Sequence, residues 1–525
     1  MRLDELIAAV GAVQGTAVEI TGLAYDSRDV RPGTLFFCVS GYQSDGHDFA
    51  AQAVARGAVA LVVERPLGLG VPEVLVASTR AAMGPTAVRF YGDPSAELRV
   101  VGVTGTNGKT TTAFLLKALL ETGDPGLTDG DSASGSCGLL GTVKSVVGGV
   151  ERPVTRTTSE AIDLQADFRA MLDGGDRSCA MEVSSHALQL GRADGVHFAA
   201  AIFTNLTQDH LDFHVTMEDY FQAKRRLFTP APGVSVVNVG DSYGRRLAEE
   251  IDGVCTFTVG EQQADYRATD LRCGFGGCRF TLHTPVGVRE VALGLAGRFN
   301  VANALGALAA AHMLGGELDT LLSALERGVR VPGRMEVVDE GQDFAVLVDY
   351  AHTPDSLENV LVAARELTRT GVQDTGRVVC VFGAGGDRDR GKRPLMGEIG
   401  ARLADVLVIT SDNPRSEDPE AIISEILAGI VGAIRPESAQ SIESIADRKE
   451  AIFRAIAGAR AGDVVVIAGK GHEQGQEFED ARKLPFDDVS VAREALRAGA
   501  GTDIASAGTG IYSYPQAQAP TGADA

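Results

Sequence analysis

The sequence predicts an α/β protein in which mostly parallel sheets present ligand sites at their strand ends. Three observations predict it. Short apolar, β-branched runs alternate with stretches of helical composition, the pattern of strand–helix–strand units. Many of those runs empty into polar, charged loops, and the strand ends of α/β sheets are where ligands bind. One run, Leu98 to Val103, passes through a glycine-containing turn into Lys109-Thr110-Thr111 and the helical stretch Ala113 to Leu120. Strand, tight turn and helix in that order are the setting of a phosphate-binding loop.

A chain of 525 residues is long enough for roughly two to four domains. Composition divides it into 1–97, 98–331, 332–499 and a tail, 500–525, of Ala, Gly, Pro, Gln and Thr that reads as disordered. Apolar content of 44% and charged content of 22% are those of a soluble globular protein. A formal charge of −22 argues against nucleic acid or an anionic membrane as partner. It also means that a polyanionic substrate must be held by local cations. The seven cysteines are scattered; only Cys273 and Cys278 are near neighbours, and no second pair completes a zinc site. They read as reduced thiols. The start has no signal-peptide shape and no apolar run reaches 18 residues, so the expectation is a cytoplasmic protein without membrane insertion; a monomer is expected, with no feature of the sequence arguing for it.

In the first segment, Val18 to Ile20, Thr34 to Val39 and Val59 to Val63 read as strands and Phe49 to Ala58 as a helix. Polar loops at Tyr25 to Gly33 and Ser40 to His47 follow strand ends, and are either ligand loops or solvated turns.

The second segment opens on the phosphate loop. Val103 stands where the strict pattern wants its first Gly. Backbone N–H groups at the start of a helix are unsatisfied and the helix dipole favours an anion there. Lys109 adds a charge for the terminal phosphates, and the Thr110 hydroxyl is placed to reach Mg²⁺. Thr122 to Gly138 looks like a surface insertion. Glu182 ends one strand, and the run Ala199 to Leu206 empties into Thr207 to His214. A parallel sheet would bring Glu182, the 208–214 cluster and Lys109 to one edge, a plausible oxygen-ligand site for a magnesium nucleotide. Tyr220 to Phe228 reads as a helix bearing Lys224, and 263–293 as a β-excursion. Asn300 and Asn303 share a face of the next helix, either as capping residues or as partners of a base.

In the third segment, strands at Ala345 to Tyr350, Arg377 to Phe382, Val406 to Thr410 and Asp463 to Ile467 each end in a charged loop. In a parallel sheet these ends share one edge. Gly385-Gly386-Asp387-Arg388 lacks the spacing of a dinucleotide fingerprint.

The motifs Thr104-Gly-Thr-Asn-Gly-Lys-Thr-Thr111, Glu182-Val-Ser-Ser-His186, Thr204-Asn-Leu-Thr-Gln-Asp-His-Leu-Asp212, Asp349-Tyr-Ala-His-Thr-Pro-Asp355, Asp412-Asn-Pro-Arg415 and Gly469-Lys-Gly-His-Glu473 together resemble those of the Mur ligase family. The resemblance covers about residues 20–490, and in that family the missing first Gly is normal. It implies three domains: a smaller α/β N-terminal domain for a UDP-sugar, a central P-loop-type domain for ATP, and a Rossmann-like C-terminal domain for an amino acid. The implied reaction is ATP-driven addition of 2,6-diaminopimelate to a UDP-N-acetylmuramoyl dipeptide, in peptidoglycan synthesis. The lysine-adding ligase and folylpolyglutamate synthetase have the same build, and a nucleotide-gated switch without ligase chemistry is the rival of another class.

Residue roles carried over by the resemblance are as follows. Gly105, Thr106, Asn107, Gly108, Lys109, Thr110 and Thr111 would hold the ATP phosphates, with Asn300 and Asn303 facing the adenine and Arg334 and Asp349 closing on the nucleotide. Thr110, Glu182, His210 and Lys224, the last as a carbamate, would serve Mg²⁺; Lys109, Lys224, His210 and Glu182 are the implied catalytic set. Tyr25, Ser27, Tyr42, Gln43, Ser44, Thr157, Thr158, Ser184 and Arg192 would contact the UDP-sugar substrate. Leu190 and Arg156 depart from the family's usual residues beside that site. Arg388, Asp412, Asn413, Pro414, Arg415, Gly469 and Glu473 would read diaminopimelate. Its distal carboxylate calls for a bidentate Arg, for which Arg415 is the candidate, and lysine would leave that Arg unpaired.

Overall fold

Strands that are apolar on both faces form the middle of each sheet, where helices cover them from both sides. The computed structural model describes residues 1–11, 18–41, 44–122, 136–229, 232–369, 376–431, 433 and 441–499. Tyr42, Gln43, residues 123–135 of the insertion and the 500–525 tail lie outside the described residues. The chain divides into two units, one from Met1 to Val331 and one beginning at Pro332.

The first unit holds two sheets. The smaller is parallel throughout, with strands β1 (Gly22–Ala24), β2 (Thr34–Phe37), β3 (Ala58–Val63) and β4 (Glu73–Leu75) in sequence order. Alternation along β2 sends Leu35 and Phe37 to one core with Leu3, Leu6 and Ile20, and Phe36 to the other with Ala50 and Ala53.

The larger sheet has the order β15-β14-β13-β12-β11-β10-β5-β9-β6-β7-β8. Its parallel centre consists of β5 (Arg99–Thr104), β6 (Ser136–Leu140), β9 (Asp176–Glu182), β10 (Phe198–Phe203), β11 (Val234–Asn238), β12 (Cys255–Val259) and the start of β13 (Tyr266–Gly274). Antiparallel flanks are added by β7 (Ser145–Val147) and β8 (Val150–Arg152) on one side and by β14 (Gly277–Thr284) and β15 (Gly287–Leu293) on the other. Val101, Val103, Ala180 and Ile202 face one core; Val100, Cys179, Met181 and Phe203 face the other. The helix Lys109–Thr122 sinks Leu115, Leu116 and Leu119 into the first of these cores and packs on the helix Arg298–Met313. Each such leucine contributes about 1.5–3 kcal/mol of burial. The phosphate loop is therefore anchored at its helical end by the core itself.

The second unit is a six-stranded sheet in the order β16-β17-β21-β18-β19-β20. Here β16 (Glu336–Val337) is antiparallel, while β17 (Ala345–Asp349), β18 (Val378–Phe382), β19 (Val406–Ile409), β20 (Ser441–Ser444) and β21 (Val464–Ala468) are parallel. The four expected strand ends, those of β17, β18, β19 and β21, do share one edge. A two-stranded ribbon, β22 (Gln476–Glu477) and β23 (Lys483–Leu484), follows.

The structure corrects several local expectations. Val18 to Ile20 is not a strand: Glu19 makes an isolated bridge to Arg2, with Leu3 N donating to Val18 O and Ile20 N to Met1 O, a pairing too short to form a ladder. The expected helix Phe49 to Ala58 is a 3₁₀ turn, Gly46–Phe49, followed by a helix only from Ala50 to Ala55, since Ala58 already pairs in β3. The helix bearing Lys224 starts earlier, at Met217, where Thr216 caps it, and ends at Arg225 before a 3₁₀ turn. Cys273 and Cys278 are not reduced thiols but a disulfide, because the β13–β14 register sets them directly opposite each other. The other five cysteines are free and buried. Among the described residues no helix is long and apolar enough to cross a membrane.

Candidate active site

The order β10-β5-β9 places the ends of three adjacent parallel strands side by side, each carrying one polar loop. The loop after β5 turns on two glycines in the left-handed half of backbone space, Gly105 with φ +152° and Gly108 with φ +86°. A Cβ on Gly105 would lie 1.8 Å from Thr204 Oγ1, and one on Gly108 would lie 2.2 Å from Asn303 Oδ1. Neither position admits a side chain, which lets β10 and the helix Arg298–Met313 press against the loop. Asn205, after β10, braces it: its Oδ1 accepts from Asn107 N at 2.9 Å and its Nδ2 donates to Asn107 O at 3.1 Å. Thr106 Oγ1 lies 3.2 Å from the Tyr220 hydroxyl and accepts from Thr207 N at 3.0 Å.

Lys109 folds its amine back on the loop, donating to Gly105 O at 3.0 Å and Thr106 O at 2.8 Å. Lys224, 1% exposed, donates to the same Gly105 O at 2.8 Å and lies over the Tyr220 ring. Burial pushes the Lys224 amine well below its usual pKa; the nearby charge of Lys109 adds to this and Asp209 opposes it.

Thr110 and Thr111 open the helix and are buried. Thr110 Oγ1 donates to Glu182 Oε2 at 3.0 Å. Glu182, itself 1% exposed, also accepts from Thr142 N at 2.8 Å and Thr142 Oγ1 at 3.1 Å. His210, at φ +54°, has its Nε2 3.4 Å from Asp209 Oδ2 and its ring 4.8 Å from that of His186. Burial, helped by His186, Lys109 and Lys224, pushes its pKa down to about 3 against the pull of Asp209, so the imidazole is neutral at pH 7. The structure therefore joins Thr110 to Glu182, but gives His210 to Asp209 and Lys224 to the loop carbonyl. Among the described residues no group of three His, Cys, Asp or Glu side chains is gathered for a metal. Asn300 and Asn303 are buried and not N-caps: Asn300 Nδ2 donates to Ala296 O at 2.8 Å, and Asn303 Nδ2 to Asn300 Oδ1 at 3.2 Å.

The residues expected to meet the UDP-sugar substrate fall in two places. Near the small sheet, the Tyr25 hydroxyl donates to Asp163 Oδ2 at 2.6 Å and Ser27 Oγ to Gln52 Oε1 at 2.8 Å, while Ser44 is exposed. Beside Glu182, Thr157 Oγ1 lies 3.1 Å from Thr142 Oγ1, and Thr158 Oγ1 donates to Glu182 O at 2.9 Å. Ser184 N donates to Thr158 Oγ1 at 3.1 Å and Arg192 Nη1 to Thr158 O at 3.2 Å. The second group is thus threaded directly onto the acid at the phosphate loop.

In the second unit, the loops after β19 and β21 interlock. Lys470, fully buried, donates to Asn413 Oδ1 and Glu473 Oε2, both at 2.8 Å, and Asn413 Nδ2 donates to Glu473 Oε2 at 2.8 Å. Arg415, at φ +51°, donates from Nη1 to Gly386 O at 2.7 Å and from Nε to Glu477 Oε2 at 3.1 Å. Pro414 O accepts from Glu417 N, and Asp412 O from Gln476 Nε2 at 2.6 Å. The Lys470 and Arg448 charges hold the buried Asp412 carboxyl below its usual range against the cost of burial. Gly469 begins the β21 loop, and Arg388 is exposed, donating to Asp387 O at 2.8 Å. At the β17 end, Asp349 accepts from Met335 N at 2.7 Å and Ala351 N at 2.8 Å, and the Arg334 guanidinium stacks 4.4 Å from the Tyr350 ring. Burial raises the Asp349 pKa and Arg334 opposes it.

Sequence reasoning missed Thr142, Asn205, Lys470 and Glu477 as members of these clusters and gave Asp209 only as part of the 208–214 group. Asn205, Asp209 and Lys470 lie inside motifs already singled out; Thr142 and Glu477 carry no signal in the sequence.

The description "Mur ligase family, catalytic domain" matches residues 19–90, "Mur ligase middle domain" residues 103–311, and "Mur ligase, glutamate ligase domain" residues 333–471. The UDP-N-acetylmuramoyl-L-alanyl-D-glutamate–2,6-diaminopimelate ligase of Syntrophomonas wolfei is 46% identical over 91% of this chain and 95% of its own. That of Geobacillus thermodenitrificans is 45% identical over 92% of this chain and 96% of its own. A solved structure of a ligase of the same name is 33% identical and superposes with a TM-score of 0.65, covering 96% of this chain and all of that one. The order of the three matched segments follows that of the three large sheets, and the chain belongs to the Mur ligase family of ATP-dependent ligases.

Proposed function

We propose that the protein joins 2,6-diaminopimelate to UDP-N-acetylmuramoyl-L-alanyl-D-glutamate, forming an amide at the expense of ATP in peptidoglycan synthesis. The observation that carries the reading is likeness, over nine-tenths of both chains, to ligases of that printed name. We assign residues 1–97 to the UDP-sugar, 98–331 to ATP and 332–499 to the amino acid. The enzyme would act in the cytoplasm, as a monomer, on small-molecule substrates alone.

The donor set beside the phosphate loop fits Mg²⁺. Thr110 Oγ1 and the Glu182 carboxylate are hard oxygen donors already in contact. Mg²⁺ commonly takes only one or two carboxylates from a protein and the rest of its shell from phosphates and water, so a large acidic cluster is not required. His210, and Lys224 as a carbamate, would complete the protein's share. The ion would offset charge on the transferring phosphoryl group.

In the proposed reaction the side-chain carboxylate of the D-glutamyl residue attacks the γ-phosphorus of ATP, giving an acyl phosphate and ADP. The amine of diaminopimelate then attacks the acyl carbon, and phosphate leaves as the amide forms. No enzyme nucleophile takes part. The backbone N–H groups of the Gly105 to Thr111 loop that Asn205 does not engage, together with the Lys109 amine, bind and orient the phosphates. Thr157, Thr158, Ser184 and Arg192 orient the acceptor; Arg334 and Asp349 are assigned to the nucleotide as well, and Asn300 and Asn303 to the adenine side. Positioning supplies much of the rate.

Arg415, with Arg388, is assigned to the distal carboxylate of diaminopimelate, and Glu473 with Asp412, Asn413, Pro414 and Gly469 to its ammonium end. Incubation of the purified protein with ATP, the UDP-sugar dipeptide and either amino acid tests the reading. Diaminopimelate should be incorporated; incorporation of lysine alone would overturn it.

A further inference from the structure

Glu160 is a buried carboxylate to which the substrate assignment gives no task. It is 4% exposed and occupies the N-cap position of the helix Ala161–Asp173, yet its side chain caps no N–H of that helix. Three guanidiniums converge on it instead. Arg80 Nη1 donates to Glu160 Oε2 at 2.8 Å and Arg156 Nη1 to Oε1 at 3.1 Å. Arg192 Nε lies 3.0 Å from Oε1, in an ion pair whose N–H is not aimed at the oxygen. The three come from different elements: Arg80 from the helix Thr79–Tyr91, Arg156 from the loop after β8, and Arg192 from the turn after the helix Ser185–Gln189.

One carboxylate does not neutralise three guanidiniums. Asp163, which also faces the group, is engaged by the Tyr25 hydroxyl, and burial raises its pKa. The cluster keeps a net positive charge on a protein of −22 overall. Side-chain exposure rises from 14% at Arg192 to 25% at Arg80 and 50% at Arg156, so the group is closed at its base and open at one side. A cluster of like charges is costly to bury unless an anion completes it. Its place defines which anion. Arg192 is bonded to Thr158 O, Thr158 to Glu182 O, and Glu182 to Thr110, so the cradle stands two hydrogen bonds away from the acid at the phosphate loop.

We propose that Glu160 is a positioning residue that gathers Arg80 and Arg156 against Arg192 into a cradle for the carboxylate of the acceptor peptide that is not activated, with Arg80 a substrate-binding cation. The inference rests on the assignment of Arg192 to the UDP-sugar peptide. A peptide ending in glutamate has two carboxylates. The one that attacks phosphorus must keep its lone pairs free of guanidiniums, whereas the other needs a countercharge to be held at all. Glu160 lets three cations approach one another and sets the planes in which they present their remaining N–H groups.

Steady-state kinetics of the full-length enzyme test this, with the natural dipeptide substrate and with one whose non-reacting carboxylate is amidated. Arg80→Met and Glu160→Gln should each raise KM for the natural substrate by about tenfold or more, with KM for ATP and for the amino acid unchanged. With the amidated substrate the same substitutions should change KM little. Glu160→Asp should recover part of the loss. If Glu160→Gln fails to fold, Arg80→Met and Arg80→Lys carry the test, since Arg80 lies on a partly exposed helix face. An unchanged KM in the Arg80 and Glu160 variants while Arg192→Ala raises it would overturn the inference alone. An unchanged KM in Arg192→Ala as well would overturn the substrate assignment on which it rests.

Discussion

Lys224 and Lys109 donate to the same acceptor, the carbonyl oxygen of Gly105, at 2.8 Å and 3.0 Å. Two amines on one carbonyl cannot both carry a full charge cheaply. Lys224 is 1% exposed, and burial drives its pKa well below the usual value. A neutral amine is the form that reacts with carbon dioxide, and the carbamate so formed is an anionic oxygen ligand where an ammonium would repel a metal. Lys224→Ala is therefore expected to lose activity by roughly 10²-fold or more, and a short-chain carboxylic acid should restore part of it. Carbon-13 spectra of enzyme kept in labelled bicarbonate should show a carbamate signal that Lys224→Ala lacks. Full activity of Lys224→Ala without the acid would refute the assignment.

Gly108→Ala should disable the phosphate loop. The new Cβ would meet Asn303 Oδ1 at 2.2 Å, on a backbone at φ +86°. The strain alone costs about 1–3 kcal/mol. A higher KM for ATP and a lower melting temperature are expected. Adding Asn303→Ala should relieve the clash but not the backbone strain, so recovery should be partial. Complete recovery in the double variant would show that φ at this position carries no cost.

Arg415→Ala should spare ATP binding and erase amino-acid choice. Discrimination of diaminopimelate over lysine, expected at roughly 10⁴ for a site built around a charged partner, should fall towards about tenfold. Arg415→Lys should recover little, because an ammonium lacks the planar fork. Lys470→Met should raise KM for the amino acid, since Asn413 and Glu473 both lose their common donor. Competition assays with the two amino acids read out all three variants.

Asp167 gives a pH prediction away from the catalytic machinery. Burial raises its pKa to about 6, against the pull of Arg152. Between the usual carboxylate range and about pH 6, the folded protein holds a proton that the unfolded chain has released, so this residue's contribution to stability falls as pH rises through that window. Asp167→Asn removes the cost. Stability should rise by about 1 kcal/mol at pH 7.5, a figure reduced for the residue's partial exposure, and should not change at pH 4. Thermal melts at the two pH values decide it; equal shifts at both would exclude ionisation as the cause.

The phosphate loop and the charged strand ends of the second unit were legible because they depend on consecutive residues. A β-branched run, a turn that needs glycine and a helix start are local matters, and Gly105, Gly108, Lys109 and Thr110 follow from them. The cysteine pair was misread for the opposite reason: the β13–β14 register, not spacing, sets Cys273 against Cys278. The choice left open for Asn300 and Asn303 also needed neighbours. Asn303 reaches the loop because Gly108 leaves room for it.

The sequence by itself determined the α/β class, the parallel sheets, the phosphate loop and the family, since alternation of apolar runs and motif spacing are properties of the chain read in order. Only the tertiary structure decided which groups share an environment: Lys224 with Lys109 on Gly105 O, Thr110 and Thr142 on Glu182, and Arg80, Arg156 and Arg192 on Glu160. Desolvation and Coulomb terms depend on neighbours brought from distant parts of the chain. The charge a buried lysine carries, or the anion an arginine cluster awaits, exists only once the chain has folded.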